Sequence, residues 1–198
     1  MFQFIESIYI KNGLAPLISY HQARYQACLH AHFPNAKHIE LKTLLANAPI
    51  DNQVYKLRIV YSNKIDGFEF IPYHQKKITS LVVIEDKSIN YQWKYANRNA
   101  FDNLKANYSK DTELIITQNG LITDSSYSNL VLEKEGKRYT PVTPLLNGVQ
   151  RQFLLDHRCI IPKAIHKNRI TDYDSIYLIN AMQNINNCIK LNTDSIIL

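Results

Sequence analysis

No run of about 18 consecutive apolar residues occurs in the 198-residue sequence, so a membrane-spanning helix is not expected. The opening residues, MFQFIESIYIKNG, carry Glu6 and lack a basic segment followed by an apolar core, which argues against a secretory signal. Cys28, Cys159 and Cys188 are odd in number and far apart, which argues against a disulfide framework or a thiolate zinc site and fits a reducing, cytoplasmic location. The histidines show no metal-ligand spacing: His21, His30 and His32 sit in or beside one helical run without an acidic or cysteine partner, so no metal is expected. A G-x-S-x-G elbow, a phosphate-binding P-loop, internal repeats and low-complexity tracts are all missing.

What is present is an ordinary globular composition, 45% hydrophobic and long enough to bury a substantial core. The net charge of +6 raises the question of nucleic acid. Its basic residues are scattered, however, and the densest patches, Lys76–Lys77 and Lys163–Arg169, lack the interleaved aromatics of a single-strand platform. A basic surface that attracts small anionic substrates is the better reading, with no nucleic acid and no membrane as partners. Thirteen tyrosines are spread along strand-like segments, where β-propensity accounts for them.

Taken in order, Phe2–Ile10 alternates as a strand, Asn12–Gly13 is a turn signal, and Leu14–Ile18 is expected to return as its partner. Ser19 is placed to cap a helix from Tyr20 to about His30 whose apolar face is Ala23, Ala27, Leu29 and Ala31, with Pro34 beyond its end. A short helix is expected over Glu40–Ala48, strands over Val54–Ser62 and Phe68–Ile71 separated by a turn at Asp66–Gly67, and another strand over Ile78–Ile84. The polar segment Glu85–Asn90 suggests a domain connection. Beyond it come a helix over Asn97–Ala106 and a strand over Glu113–Thr117, with a turn at Asn119–Gly120 and a return at Leu121–Ile122. A hairpin across Glu135–Gly136, a helix over Gln150–Asp156, a turn or helix start at Thr171–Asp172 and a buried strand over Ser175–Ile179 complete the chain.

The stretch that opens at Trp93 with WKYANRNAFDNL, passes through NGLITDSSYSNLVL and closes with KRYTPVTPLLNGVQRQF holds three chemical elements in order. They are a lysine at the edge of a helical run, an acidic residue in a turn-strand unit and a glycine turn that starts a helix. A lysine for a Schiff base, a carboxylate for a pyridinium nitrogen and a helix N-terminus for a phosphate are what a pyridoxal phosphate site requires. Together with FIESIYIKNG, the helix YHQARY, RYTP, NGVQR and YLINAMQNI, this order resembles the class IV aminotransferase family of fold type IV pyridoxal phosphate enzymes. That family includes aminodeoxychorismate lyase and the D-amino acid and branched-chain aminotransferases.

The resemblance implies an α+β (mixed α/β), two-lobed fold like that of D-amino acid aminotransferase, with pyridoxal 5'-phosphate between the lobes. The expected division is a small N-terminal α/β domain over 1–88, truncated relative to the family, and a larger cofactor-binding domain over 89–198. Lys94 would carry the Schiff base and serve as the catalytic proton carrier. Asp124 would face the pyridinium nitrogen, where the family has glutamate. The phosphate would lie at the backbone N–H groups of Val149 and Gln150 after Gly148, with Arg24 of the H-x-x-R helix and Asn180 beside it, and Ser128 and Asn129 would line the cofactor's edge. NGVQRQF resembles the lyase, which forms 4-aminobenzoate and pyruvate in folate biosynthesis, although Gln183 and Asn184 depart from its pattern. An amino acid transaminase and a non-catalytic protein that retains the cofactor are the alternatives. Small-molecule amino acid or aminodeoxychorismate-like substrates and a homodimer are the implied partners, and Arg58 and Tyr61 are candidates to meet a substrate carboxylate.

Overall fold

A computed structural model describes residues 2–197. The chain forms a mixed α/β protein of two compact units, one of residues 2–75 with Trp93–Asn97 and the other of Lys76–Gln92 with residues 98–197. The boundary differs from the expected 88/89 because the strand at 80–85 is hydrogen-bonded to strands of the second unit, whereas Trp93–Asn97 pairs with the first.

In the first unit, β1 (Phe4–Ile10) leads to α1 (Ile18–His32), followed by β2 (Tyr55–Tyr61) and β3 (Ile65–Pro72), and the strands form an antiparallel sheet in the order β1-β2-β3. Register places Phe4 opposite Tyr61, Glu6 opposite Ile59 and Ile8 opposite Leu57. Because strand side chains alternate, these residues share one face. Phe4, Ile8, Leu57, Ile59 and Tyr61 pack there with Tyr25, Cys28 and Leu29 of α1.

Five local expectations change. The return strand at Leu14–Ile18 does not form, since Lys11 and Leu14 make one bridge and α1 already begins at Ile18. Leu17, not Ser19, occupies the N-cap, and no side chain caps it. The buried face of α1 is His21, Tyr25, Cys28 and Leu29, while Ala23, Ala27 and Ala31 are exposed. An alanine stripe buries little apolar area, and the larger Tyr25 and Leu29 side chains win the inner face. Asp66 and Gly67 lie within β3, and the reversal occurs at residues 62–64, beside a register shift at Val60/Tyr61. The short helix expected over Glu40–Ala48 is a 3-10 segment, Leu41–Asn47.

The second unit contains β4 (Ser80–Glu85), α2 (Asn99–Lys105), β5 (Thr112–Gln118), β6 (Leu121–Ser125), β7 (Asn129–Lys134), β8 (Lys137–Pro141), α3 (Val149–Asp156), β9 (Ile161–Lys163), β10 (Ser175–Ile179), β11 (Ile189–Asn192) and β12 (Ile196–Ile197). Seven of these strands run β11-β10-β7-β6-β5-β4-β12, and β8 and β9 extend from β7. Two tight hairpins set the local register. Asn119 and Gly120 have φ of 54° and 77°, and Glu135 and Gly136 have φ of 50° and 71°, the paired positive values that a two-residue turn needs to match strand twist. β10 is buried along its whole length, as its apolar run suggests. Thr171 and Asp172 end a 3-10 segment, Lys167–Asp172, instead of starting a helix. Among the described residues, no helix is long and apolar enough to cross a membrane.

Candidate functional site

The candidate residues fall into two sets, one in each unit. In the first unit, Trp93–Asn97 runs antiparallel to the outer edge of β1: the Ile5 N–H donates to the Lys94 carbonyl at 2.9 Å, and the Ala96 N–H donates to the Gln3 carbonyl at 2.8 Å. Trp93 and Tyr95 pack against the core of this unit, with Tyr95 5.2 Å from the Phe4 ring and Trp93 5.2 Å from the His32 ring. Lys94, half-buried, sits between these two aromatics at the centre of a tight turn in which the Tyr95 N–H donates to the Trp93 carbonyl at 2.9 Å.

Arg24, expected beside a phosphate, is held by Glu6. Its Nε donates to one carboxylate oxygen at 2.8 Å and an Nη donates to the other at 2.5 Å, a two-point pairing that fixes the guanidinium plane. The His21 Nδ1 lies 2.5 Å from the same carboxylate. Burial pushes the Glu6 carboxyl up, but the Arg24 charge and the His21 bond outweigh it and bring it to about 2. Burial also holds His21 below its ordinary value, against the attraction of Glu6, with the Lys94 charge adding to the lowering. The resulting arrangement is an ionised Glu6, a charged Arg24 and a neutral His21 that donates through Nδ1. From the sequence, Glu6 had no role in a site and His21 lacked an acidic partner, whereas Glu6 of β1 is that partner. The available signal was a carboxylate at an inward position of the apolar run F-I-E-S-I, which a buried Glu needs a cation to justify.

In the second unit, β6 and β7 meet at Asp124 opposite Asn129. Asp124 is buried. Its Oδ1 accepts from Asn129 Nδ2 at 2.7 Å and its Oδ2 from the Leu146 N–H at 2.9 Å, while Asn129 Nδ2 also donates to the Leu146 carbonyl at 2.8 Å. These bonds draw the segment before α3 onto the Asp124–Asn129 pair. Burial raises the Asp124 carboxyl to about 6 in spite of those bonds and the Arg151 charge. Arg151 of α3 is itself buried and ties down the preceding loop, donating to Thr140 Oγ1, the Pro141 carbonyl and Asn147 Oδ1.

Gly148 is the N-cap of α3, and the first bond closing the helix runs from the Gln152 N–H to the Gly148 carbonyl at 2.9 Å. The N–H groups of Val149 and Gln150 therefore precede the helical ladder, at the positive end of its dipole. A Cβ at Gly148 would overlap the Asn129 side-chain oxygen, although its φ of −71° suits any residue. Gly148→Ala is accordingly expected to displace Asn129 and destabilise the fold by about 1–3 kcal/mol in denaturant unfolding. Gly67→Ala, where a Cβ meets nothing within 4 Å, is the control expected to change little. Asn180 follows β10 and donates through Nδ2 to Ser128 Oγ at 2.9 Å, which joins two further candidates.

Asp124, Asn129, Gly148, Val149 and Gln150 thus form one connected group, with Ser128 and Asn180 bonded to each other on the same turn and strand end. Of the two residues considered for a substrate carboxylate, Tyr61 is instead buried in the first unit's core, 4.9 Å from the Tyr25 ring, and Arg58 pairs with Glu69 at 3.7 Å.

The profile of the amino-transferase class IV family matches residues 3–189. The chain belongs to this family. An uncharacterized protein of Haemophilus influenzae strain Rd is 32% identical over 188 residues, covering 93% of this chain and 100% of that one. The crystal structure of a Haemophilus somnus 129PT protein provisionally named 4-amino-4-deoxychorismate lyase superposes with a TM-score of 0.87 at 31% identity, covering 93% of this chain and 98% of that chain. A Mesorhizobium loti protein provisionally named an amino-acid aminotransferase shares the class IV fold, with a TM-score of 0.78 at 18% identity over the whole of both chains.

Proposed function

We propose that this class IV protein is a pyridoxal phosphate-dependent enzyme, most like aminodeoxychorismate lyase, with amino acid transamination as the alternative reaction. The observation that carries the reading is the buried Asp124 carboxyl, joined through Asn129 to the start of a helix whose first N–H groups precede its ladder. An acid partner for a ring nitrogen and a donor cradle for a phosphate are thereby supplied by one connected group, and these residues fit the cofactor. Bound there, pyridoxal phosphate supplies an electron sink for the charge left when a bond to the substrate's α-carbon breaks.

The protein's part is to hold and to move protons. Asp124, ionised above about 6, would keep a proton on the ring nitrogen. Val149 and Gln150 would offer their backbone N–H groups to the phosphate, and the resemblance adds Arg24, whose guanidinium is oriented by Glu6, as a charged donor. Ser128, Asn129 and Asn180 would line the cofactor's edge. Lys94 would hold the cofactor covalently, and its amine, when free, would carry the proton to and from the substrate's α-carbon. Two features support the lyase over the transaminase: the NGVQRQF run and the 31% identity to the Haemophilus somnus protein. A homodimer in the cytoplasm is part of the same proposal.

The test is an absorbance spectrum of the purified protein with pyridoxal phosphate, before and after borohydride reduction, with mass analysis of the modified peptide. Labelling at Lys94, followed by release of 4-aminobenzoate and pyruvate from aminodeoxychorismate, is the expected result. Keto-acid-dependent amino transfer without that release would select the transaminase. No binding of pyridoxal phosphate would reject both reactions.

A further inference from the structure

We infer that Glu113 and Arg98 are positioning residues that together aim the turn between β6 and β7, and with it Asp124, Ser128 and Asn129, at the cofactor; the inference rests on the function proposed above. β6 and β7 meet at one register pair, Asp124 opposite Asn129, and their ladders with β5 and β10 stop at Ser125 and Asn129, so residues 126–128 lie outside the strand ladders. Inside the turn, the Ser125 N–H donates to the Ser128 carbonyl at 2.8 Å, and Ser125 Oγ accepts from the N–H groups of Tyr127 and Ser128. Those bonds close the turn on itself but do not orient it.

Orientation comes from Ser126, both of whose backbone groups are held from outside. Its N–H donates to Glu113 Oε1 at 3.0 Å, and its carbonyl accepts from an Arg98 Nη at 2.5 Å. Glu113 lies on β5, and the same Oε1 takes the Leu114 N–H at 3.0 Å, so its carboxylate is fixed to its own strand. Arg98 is the N-cap residue of α2. Its guanidinium stacks over the Phe101 ring at 4.8 Å and donates to the Tyr91 hydroxyl at 3.1 Å, which leaves it few alternative rotamers.

Stability alone does not account for Glu113. It is fully buried, and its Oε2 has no hydrogen-bond partner among the described residues. An apolar residue of similar volume would fill the same place in β5 without the desolvation cost of a carboxylate. What Glu113 contributes is a defined direction for the Ser126 N–H, and Arg98 fixes the next carbonyl along the chain.

The test uses Glu113→Ala, Glu113→Gln and Arg98→Met in the full-length protein. It has two readouts: hydrogen exchange of the amides at 125–129 without cofactor, and the dissociation constant of pyridoxal phosphate from its absorbance. Losing a buried hydrogen bond is expected to speed exchange in this turn, and to weaken cofactor binding, by about tenfold in Glu113→Ala and in Arg98→Met. Glu113→Gln should keep wild-type behaviour, because its carbonyl oxygen accepts the same two N–H bonds. Should Glu113→Ala fail to fold, Arg98→Met carries both readouts. Wild-type exchange and affinity in Arg98→Met, or a Glu113→Gln as impaired as Glu113→Ala, would overturn the inference. Wild-type protein that binds no pyridoxal phosphate would instead reject the proposed function, and exchange in the turn would then decide against Glu113 and Arg98 if it were unchanged in the variants.

Discussion

Lys94→Ala is expected to lose covalent attachment of pyridoxal phosphate and to lower turnover by at least about 10³-fold, while remaining folded. The expectation of an intact fold is structural. Lys94 is joined to β1 through its carbonyl, which accepts from the Ile5 N–H, and its segment is anchored by the neighbouring Trp93 and Tyr95 rings. Removing the side chain beyond Cβ leaves those contacts in place, so denaturant unfolding should shift by no more than about 0.5 kcal/mol. Turnover depends on the amine. Alanine can neither attach the cofactor nor carry a proton at the substrate's α-carbon, and no neighbouring residue on this short segment offers a replacement amine. Absorbance, borohydride labelling and steady-state rates on one preparation check all parts of the prediction. A variant with wild-type turnover, or with the label unchanged, would remove Lys94 from the mechanism.

Asp124→Asn is expected to lower turnover by about 10²-fold and to change how the apoprotein responds to pH. The native carboxyl is held at about 6, above the ordinary aspartate value that it regains on unfolding. Between roughly pH 4 and pH 6 the unfolded chain has therefore released this proton while the folded protein still binds it. Stability attributable to Asp124 accordingly falls as pH rises through that window and stays lower above it, by about 3 kcal/mol in total if the shift is fully expressed. Asparagine does not titrate, so this decline should disappear in the variant.

The substitution has a cost of its own. Both carboxylate oxygens accept from donors, Asn129 Nδ2 and the Leu146 N–H, and an amide offers one oxygen and one NH2 group. One donor would then face another, a loss of about 1–3 kcal/mol at every pH. Urea unfolding from pH 4 to pH 8 distinguishes the two effects, since the first changes with pH and the second does not. An identical pH profile in wild type and variant would show that Asp124 does not carry the titration. For wild-type activity the consequence is opposite in direction: protonation below about pH 6 removes the charge that holds a pyridinium proton, so rates should drop on the acid side.

The parts of this fold that were readable from sequence are those fixed by local chemistry. Asn119–Gly120 and Glu135–Gly136 announce hairpins because the turn demands positive φ from two adjacent residues, a requirement met within the dipeptide itself. Asp66–Gly67 offered the same cue but lies inside β3, since a glycine also fits an extended strand and the strand partner, not the dipeptide, decides. α1 buries a face other than its alanine stripe for a related reason. Its buried face includes His21, whose burial is acceptable only because Glu6 waits on β1, fifteen positions earlier in the chain. No window of helical periodicity contains that partner.

The candidate site shows the same split. The order of motifs led to the class IV family, and the elements carrying Asp124, Asn129 and the Gly148 helix start were placed from sequence. The hydrogen bonds that connect them through Leu146 were not, because a backbone N–H and carbonyl leave no trace in residue identity. Glu113 and Arg98 escaped notice likewise, as both act on the backbone of Ser126.

The path of the chain between the two units also bears on how the protein is made. Residues 76–92 enter the second unit before Trp93–Asn97 return to the first, and β12 joins β4 in parallel only at Ile196–Ile197. During synthesis the first unit therefore waits, with the outer edge of β1 uncovered, until Asn97 has left the ribosome, and the sheet begun by β4 stays unfinished until Ile196–Ile197 are added. An uncovered strand edge invites pairing with other chains. A fragment ending at Gln75 would keep that edge and lack the Trp93 and Tyr95 rings, so it is a poor candidate for independent folding, and the lysine arrives in its place as the closing piece of a unit that started ninety residues before.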